Sequence, residues 1–189
     1  MNVFEYLLLF AAIILGLAVS DLAISLHKLM AARGRVRWDW LAPMAAAVAF
    51  LKIVTQWWAW FAAGAIAKGM TFEMYLTLLV EAVLLFLLAA SALPDEVPEK
   101  GIDLRAFYDG TQRRFWLLFA LQWSIWMAVS TWTQIVIEGA KFNPYSPVYL
   151  ILPATLALAF LRYRIVQTLA LAGFIAVYLT QNFGRTLVQ

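Results

Sequence analysis

Of the 189 residues, 65% are apolar and 13% are charged. The mean hydropathy is +0.81, more apolar surface than a water-soluble fold of this size has an interior to hide. This excludes a soluble enzyme, a disordered regulator and a nucleic-acid-binding domain. With a net charge of only +3, the pI near 9.3 fits membrane topology better than a phosphate-binding face.

Cysteine is absent and there is one histidine. Disulfides, thiolate catalysis, Cys-ligated metal, a His-rich metal site and a bis-His haem are therefore excluded, and no cofactor is expected. A helix needs about 20 apolar residues to cross the hydrocarbon. Six stretches qualify, at about 3–26, 41–64, 70–93, 115–137, 148–161 and 165–183. Their apolar runs are continuous, without the alternation of a barrel strand. The sequence thus predicts an all-α, polytopic transmembrane six-helix bundle, one domain over residues 1–189.

The first stretch lacks a basic n-region and is too long for the apolar core of a signal peptide, so it is expected to remain as a span. Ala12, Gly16 and Ser20 repeat at every fourth residue, which marks a packing face. Asp21, Ser25 and Lys28 share another face at i, i+4 and i+7. Two readings follow: an inner vestibule in which Asp21 or His27 passes protons, or Lys28 and His27 snorkelling to the interface while Asp21 bonds a neighbouring helix, and for His27 the second is preferred. Asp21 is too deep and too short to snorkel, which makes it a candidate pathway residue.

The second stretch carries small-residue pairs Ala42/Ala46 and Ala45/Ala49, and Lys52 near its middle. Thr55 and Gln56 follow Lys52 at i+3 and i+4. The third stretch carries Glu81 near its middle and Thr77 one turn earlier. Neighbouring antiparallel helices put their midpoints at one depth. Lys52 and Glu81 are therefore expected within reach of each other, directly or through a water, with Thr55, Gln56 and Thr77 on the same polar stripe. An unpaired charge at that depth costs at least several kcal/mol. Two readings follow: a mid-membrane site for a substrate, ion or proton, or a structural ion pair that fixes helix register.

Residues 94–112 are polar and helix-breaking, and are read as a cytoplasmic loop. Within it Asp103 is expected to cap a short interfacial helix over 103–110, ended by Gly110. The outer half of the fourth stretch is unusually polar. Trp123, Trp126, Ser130, Thr133 and Gln134 share a face there, which suits either a cavity for an amphipathic ligand or interhelical hydrogen bonding. The fifth stretch is short and interrupted by Pro153.

The second, fourth and sixth stretches each follow paired arginines (Arg35/Arg37, Arg113/Arg114, Arg162/Arg164) and each carry Thr-Gln in the outer half. This pattern predicts three helical hairpins that place Gln56, Gln134 and Gln181 at one level around an outer cavity. Topology and chance recurrence produce the same pattern without a repeat.

Ten basic residues fall on one side: Lys28, Arg33, Arg35, Arg37, Lys100, Arg105, Arg113, Arg114, Arg162 and Arg164. Lys68, Lys141 and Arg185 fall on the other. The bias predicts a multi-pass protein of the cell membrane, an inner membrane in bacteria, with both termini outside and loops 27–40 and 94–114 cytoplasmic.

No potassium-filter TVGYG, no arginine at every third position and no GxSxG occurs, so a voltage-gated potassium channel and a serine protease are disfavoured. The leading reading is a transporter or channel for a small solute, ion or proton. Its pathway would include Lys52, Glu81, Gln56, Thr55, Thr77, Asp21, Trp126, Ser130, Thr133 and Gln134. The alternative is a non-transporting subunit, ligand sensor or scaffold; an enzyme ranks third, since no nucleophile or metal constellation is visible. Expected partners are the lipid bilayer, the small solute or ion, and a second copy of the chain to complete a pathway.

Overall fold

The computed structural model describes residues 3–66, 71–137, 139, 143 and 146–182. Six α-helices occur among them: α1 (Val3–Ala31), α2 (Leu41–Ile66), α3 (Phe72–Ala90), α4 (Leu104–Trp132), α5 (Ile151–Phe160) and α6 (Arg164–Asn182). Two short strands, β1 (Val36–Arg37) and β2 (Ile102–Asp103), pair in parallel, with Val36 opposite Ile102 and Arg37 opposite Asp103. The helices α1 to α4 are long and apolar enough to cross a membrane, whereas α5 and α6 are shorter apolar helices. At 1.5 Å per residue, α5 reaches about half of the 30 Å hydrocarbon. Pro153 does not interrupt it. The proline sits in the first turn of α5, where its missing N–H has no intrahelical partner to lose.

The expected interfacial helix over 103–110 is not a separate element. Asp103 does cap a helix, accepting from Arg105 N and Ala106 N, but that helix is α4 itself, which runs through Gly110 without a break. Leu104, Tyr108, Gln112, Phe115, Trp116 and Phe119 form one buried stripe along it. Continuous burial at helical spacing outweighs the roughly 1 kcal/mol that a glycine costs in a helix interior.

The helices do not pack as three sequential hairpins. α1 packs most extensively on α3, α2 on α6, and α4 on α5. Close approach of α1, α2 and α3 rests on buried alanines: Ala11 and Ala18, then Ala42, Ala45 and Ala49, then Ala82 and Ala89. The face of Ala12, Gly16 and Ser20, read as packing within the chain or between protomers, is not the one α1 buries within the chain, because Gly16 and Ser20 are exposed. The buried face of α1 is instead Leu8, Ala11, Leu15, Ala18, Leu22, Ser25 and Leu29. Its spacing of three and four residues keeps larger apolar groups inward.

The basic loops converge at one end of the bundle. Lys28 Nζ donates to Asp95 O at 2.8 Å, Arg37 pairs with Asp103 at 3.1 Å, and Arg164 forms an ion pair with Asp39. The Arg164 guanidinium also lies 5.3 Å from the Trp40 ring, whose Nε1 donates to Thr168 Oγ1. Just above this end is a buried polar knot. Gln167 Oε1 accepts from Tyr108 Oη and Trp116 Nε1, and Gln167 Nε2 donates to Leu158 O and Leu161 O. Gln112 Nε2 donates to the same two carbonyls. These two glutamines, from α4 and α6, satisfy the carbonyls left over at the end of α5.

Gly101 is required where the two strands meet. Its φ is +86°, and a Cβ there would lie 2.4 Å from Arg35 O. Gly101→Ala should lower stability by about 1–3 kcal/mol. Gly110→Ala, in a helix interior where a Cβ meets nothing within 4 Å, should raise it by about 0.5–1 kcal/mol. Thermal unfolding of the detergent-solubilised chain reads both signs.

Candidate functional site

Lys52, Gln56 and Trp60 are spaced four residues apart on α2 and form one stripe facing the bundle interior. Lys52 and Glu81 are each 4% exposed, and Gln56 is 3% exposed. The two charges do not touch. Lys52 Nζ donates to Gln56 Oε1 at 3.2 Å, and Gln56 Nε2 donates to Glu81 Oε2 at 3.1 Å. The amide stands between cation and anion with its oxygen toward the one and its N–H toward the other, so its dipole is aligned with both. Trp60 Nε1 gives the same carboxylate oxygen a second hydrogen bond at 3.2 Å.

α4 closes the site from the other side. Gln122 Nε2 donates to Gln56 Oε1 at 3.2 Å, giving that oxygen two donors. Lys52 Nζ lies 5.1 Å from the Trp123 ring centre and 5.7 Å from that of Trp126. Beside this network, Gln122 Oε1 and Trp123 Nε1 are buried without a hydrogen-bond partner among the described residues. Each such group costs about 1–3 kcal/mol.

A cavity of about 220 Å³ opens near the far end of α4 from the basic loops. Trp126, Ser130, Thr131, Gln134, Ser146 and Tyr149 contribute to its wall. Its lining reaches Trp126 and stops short of Lys52, Gln56 and Glu81. Trp126 is thus common to the cavity wall and to the surroundings of the Lys52 ammonium. The α-helical ladder of α4 ends at this level and continues as a π-helical turn over Thr133–Ile137, a geometry often found where a helix serves a site.

Several residues expected at the site lie elsewhere. The Thr55 hydroxyl bonds back to Lys52 O and the Thr77 hydroxyl to Glu73 O. Each is satisfied within its own helix and takes no part in the charge network. Asp21 is half-buried on α1 and contributes no bond to the network, and Lys28 is engaged with Asp95. Thr133 is half-buried and is not part of the cavity wall.

The common level proposed for Gln56, Gln134 and Gln181 does not hold. Gln56 is locked into the charge network, whereas Gln134 is exposed and donates to Ser130 Oγ in the cavity region. The side chain of Gln181 lies outside the described residues. Trp60, a donor to the buried carboxylate, was not among the residues expected at the site. The signal for it was its place one turn beyond Gln56. Compared with protein families, curated proteins and solved structures, the chain finds no match.

Removing one charge of the network strands the other. Glu81→Gln should destabilise the chain by about 3–5 kcal/mol, and Lys52→Met/Glu81→Gln should recover most of that loss. A thermal-unfolding cycle of the four proteins measures the coupling. Additive losses would mean that the amide does not link the two groups.

Proposed function

We propose that the chain is an integral membrane protein that moves a small solute, ion or proton, with Lys52, Gln56 and Glu81 as its mid-membrane site. The observation that carries this reading is the contrast between two buried polar clusters. The Gln167 knot is satisfied at both of its amide atoms by Tyr108, Trp116 and the α5 carbonyls, as a purely structural cluster should be. The Lys52 network holds two charges away from water yet leaves Gln122 Oε1 and Trp123 Nε1 unpartnered beside it. Its neighbour Trp126 lines a cavity. Such a site has bonding capacity in reserve for a guest.

In this reading α5 and α6 complete six spans in the cell membrane, with the basic end in the cytoplasm and both termini outside. The distribution of lysine and arginine supports the orientation. The large exposed apolar side chains of the short helices, such as Phe160, Ile165 and Leu169, support contact with lipid or with a second copy of the chain.

One observation favours a second reading, a non-transporting subunit in which the network fixes helix register. Lys52, Gln56 and Glu81 are almost fully buried, and the cavity does not reach them. Transport requires that Trp126 move.

Proteoliposomes separate the two. Wild-type protein should dissipate an imposed gradient of at least one of protons, Na⁺, K⁺, Cl⁻ or a small organic solute faster than protein-free vesicles. Lys52→Met/Glu81→Gln, in which stability is largely recovered, should remove that flux. Absence of flux across the panel from folded protein favours the subunit. Topology is tested separately with single cysteines at Glu99 and Lys68. An impermeant thiol reagent added outside cells should label the Lys68 site and spare the Glu99 site; labelling of both from one side would overturn the six-span arrangement.

A further inference from the structure

The Trp123 and Trp126 rings lie 4.9 Å apart with their planes at 39°, and the Lys52 ammonium sits within 6 Å of both centres. A cation against paired indoles is the arrangement by which proteins recognise quaternary ammonium groups. Here the cation is tethered to the protein. Among the described residues it donates one hydrogen bond, to Gln56 Oε1, so the aromatic faces supply much of what holds it. The Glu81 carboxylate lies one amide away. No charged side chain lines the adjoining cavity among the described residues, and Ser130, Thr131, Gln134 and Ser146 offer it neutral oxygens.

We propose that the Trp123–Trp126 pair is a recognition site for a small organic ammonium solute, and that Lys52 occupies it in the closed state as an internal competitor. The charges select this class of solute. An anion placed beside Lys52 would face the negative surfaces of two indoles and, through Gln56, the Glu81 carboxylate. An organic cation meets favourable faces and a carboxylate of opposite sign. Small inorganic cations hold their water too tightly to exchange it for indole faces, whereas a methylated ammonium is weakly hydrated. Entry from the cavity past Trp126 brings the solute to the place that Lys52 fills. The two like charges then repel, so the Lys52 head must leave the rings.

The inference deepens the transport reading by naming its solute class and rests on it for passage across the membrane. Binding is measured apart from flux. Isothermal titration of the purified full chain in detergent, with tetramethylammonium chloride as probe and sodium chloride and sodium acetate as controls, tests it directly. Wild type should bind tetramethylammonium and neither control. Lys52→Met should bind it about tenfold more tightly, since the competitor is gone and Glu81 remains. Trp126→Leu should bind about tenfold more weakly.

Lys52→Met binding no tighter than wild type, or Trp126→Leu binding unchanged, overturns the proposal. Acetate binding that disappears in Lys52→Met overturns it in favour of an anion site. If Lys52→Met does not fold, Lys52→Arg carries the test. A guanidinium stacks on indole better than an ammonium, so binding should weaken several-fold, and unchanged or tighter binding is contrary. Ammonium binding without flux keeps the site and rejects transport. Flux without ammonium binding does the reverse.

Discussion

An ammonium and a carboxylate in the middle of an apolar bundle set the terms for the helices around them. Each ion costs several kcal/mol to remove from water, and in this chain they do not meet to cancel that cost directly. Gln56 intervenes, and its amide satisfies both. The arrangement requires α2 to present Lys52, Gln56 and Trp60 on one stripe, α3 to deliver Glu81 at the level of that stripe, and α4 to bring Gln122 and Trp123 against it. A rotation of α2 or α3 would strand a charge, and a rotation of α4 would take the indole faces away from Lys52. The buried alanines on α1, α2 and α3 are the packing counterpart, because they allow the backbones close enough for short polar bridges to span the gaps.

The basic end holds this arrangement in place by different means. A two-residue parallel pairing, an ion pair between Arg37 and Asp103, and a partly buried one between Arg164 and Asp39 tie the loop before α2 to the start of α4 and the start of α6. The Gln167 knot locks α4, α5 and α6 just above them. At the opposite end the Thr131 and Tyr149 hydroxyls share a hydrogen bond at 3.2 Å. There α4 passes into a π-helical turn beside a polar cavity.

Much of the fold was legible because hydropathy reports it directly. Each of the six apolar runs coincides with a helix, but only α1 to α4 are long enough to cross a membrane, and α4 begins at Leu104, well before its predicted start. The common depth of Lys52 and Glu81 followed from the antiparallel order of two adjacent spans. The side chain that joins them did not, because sequence spacing cannot say whether opposite charges will meet or be bridged. Helix pairing was illegible for a related reason. Short loops make sequential hairpins the natural expectation, yet α1 prefers α3 and α2 prefers α6, and those choices rest on the fit of buried alanines.

The continuation of α4 through Gly110 was hidden because a glycine after polar residues reads as a stop, whereas a stripe from Leu104 to Phe119 overrides it. Gln112 and Gln167 were missed because a lone glutamine near a helix end carries no pattern; its partners are backbone carbonyls of another helix. Thr55 and Thr77 misled in the opposite direction. Their spacing placed them on the stripe, but hydroxyls within helices bond to their own backbone first.

The central claim is that the buried network is a closed site separated from the cavity by Trp126, rather than a sealed strut. Reaction of a Gln122→Cys thiol with a small impermeant methanethiosulfonate added from the cavity side tests it most directly. The account predicts slow reaction with Trp126 present and much faster reaction when Trp126 is also replaced by alanine, in chains whose unfolding temperatures are similar. A thiol equally unreactive in both would show that the network is closed off from the cavity by more than one side chain, and would contradict the account.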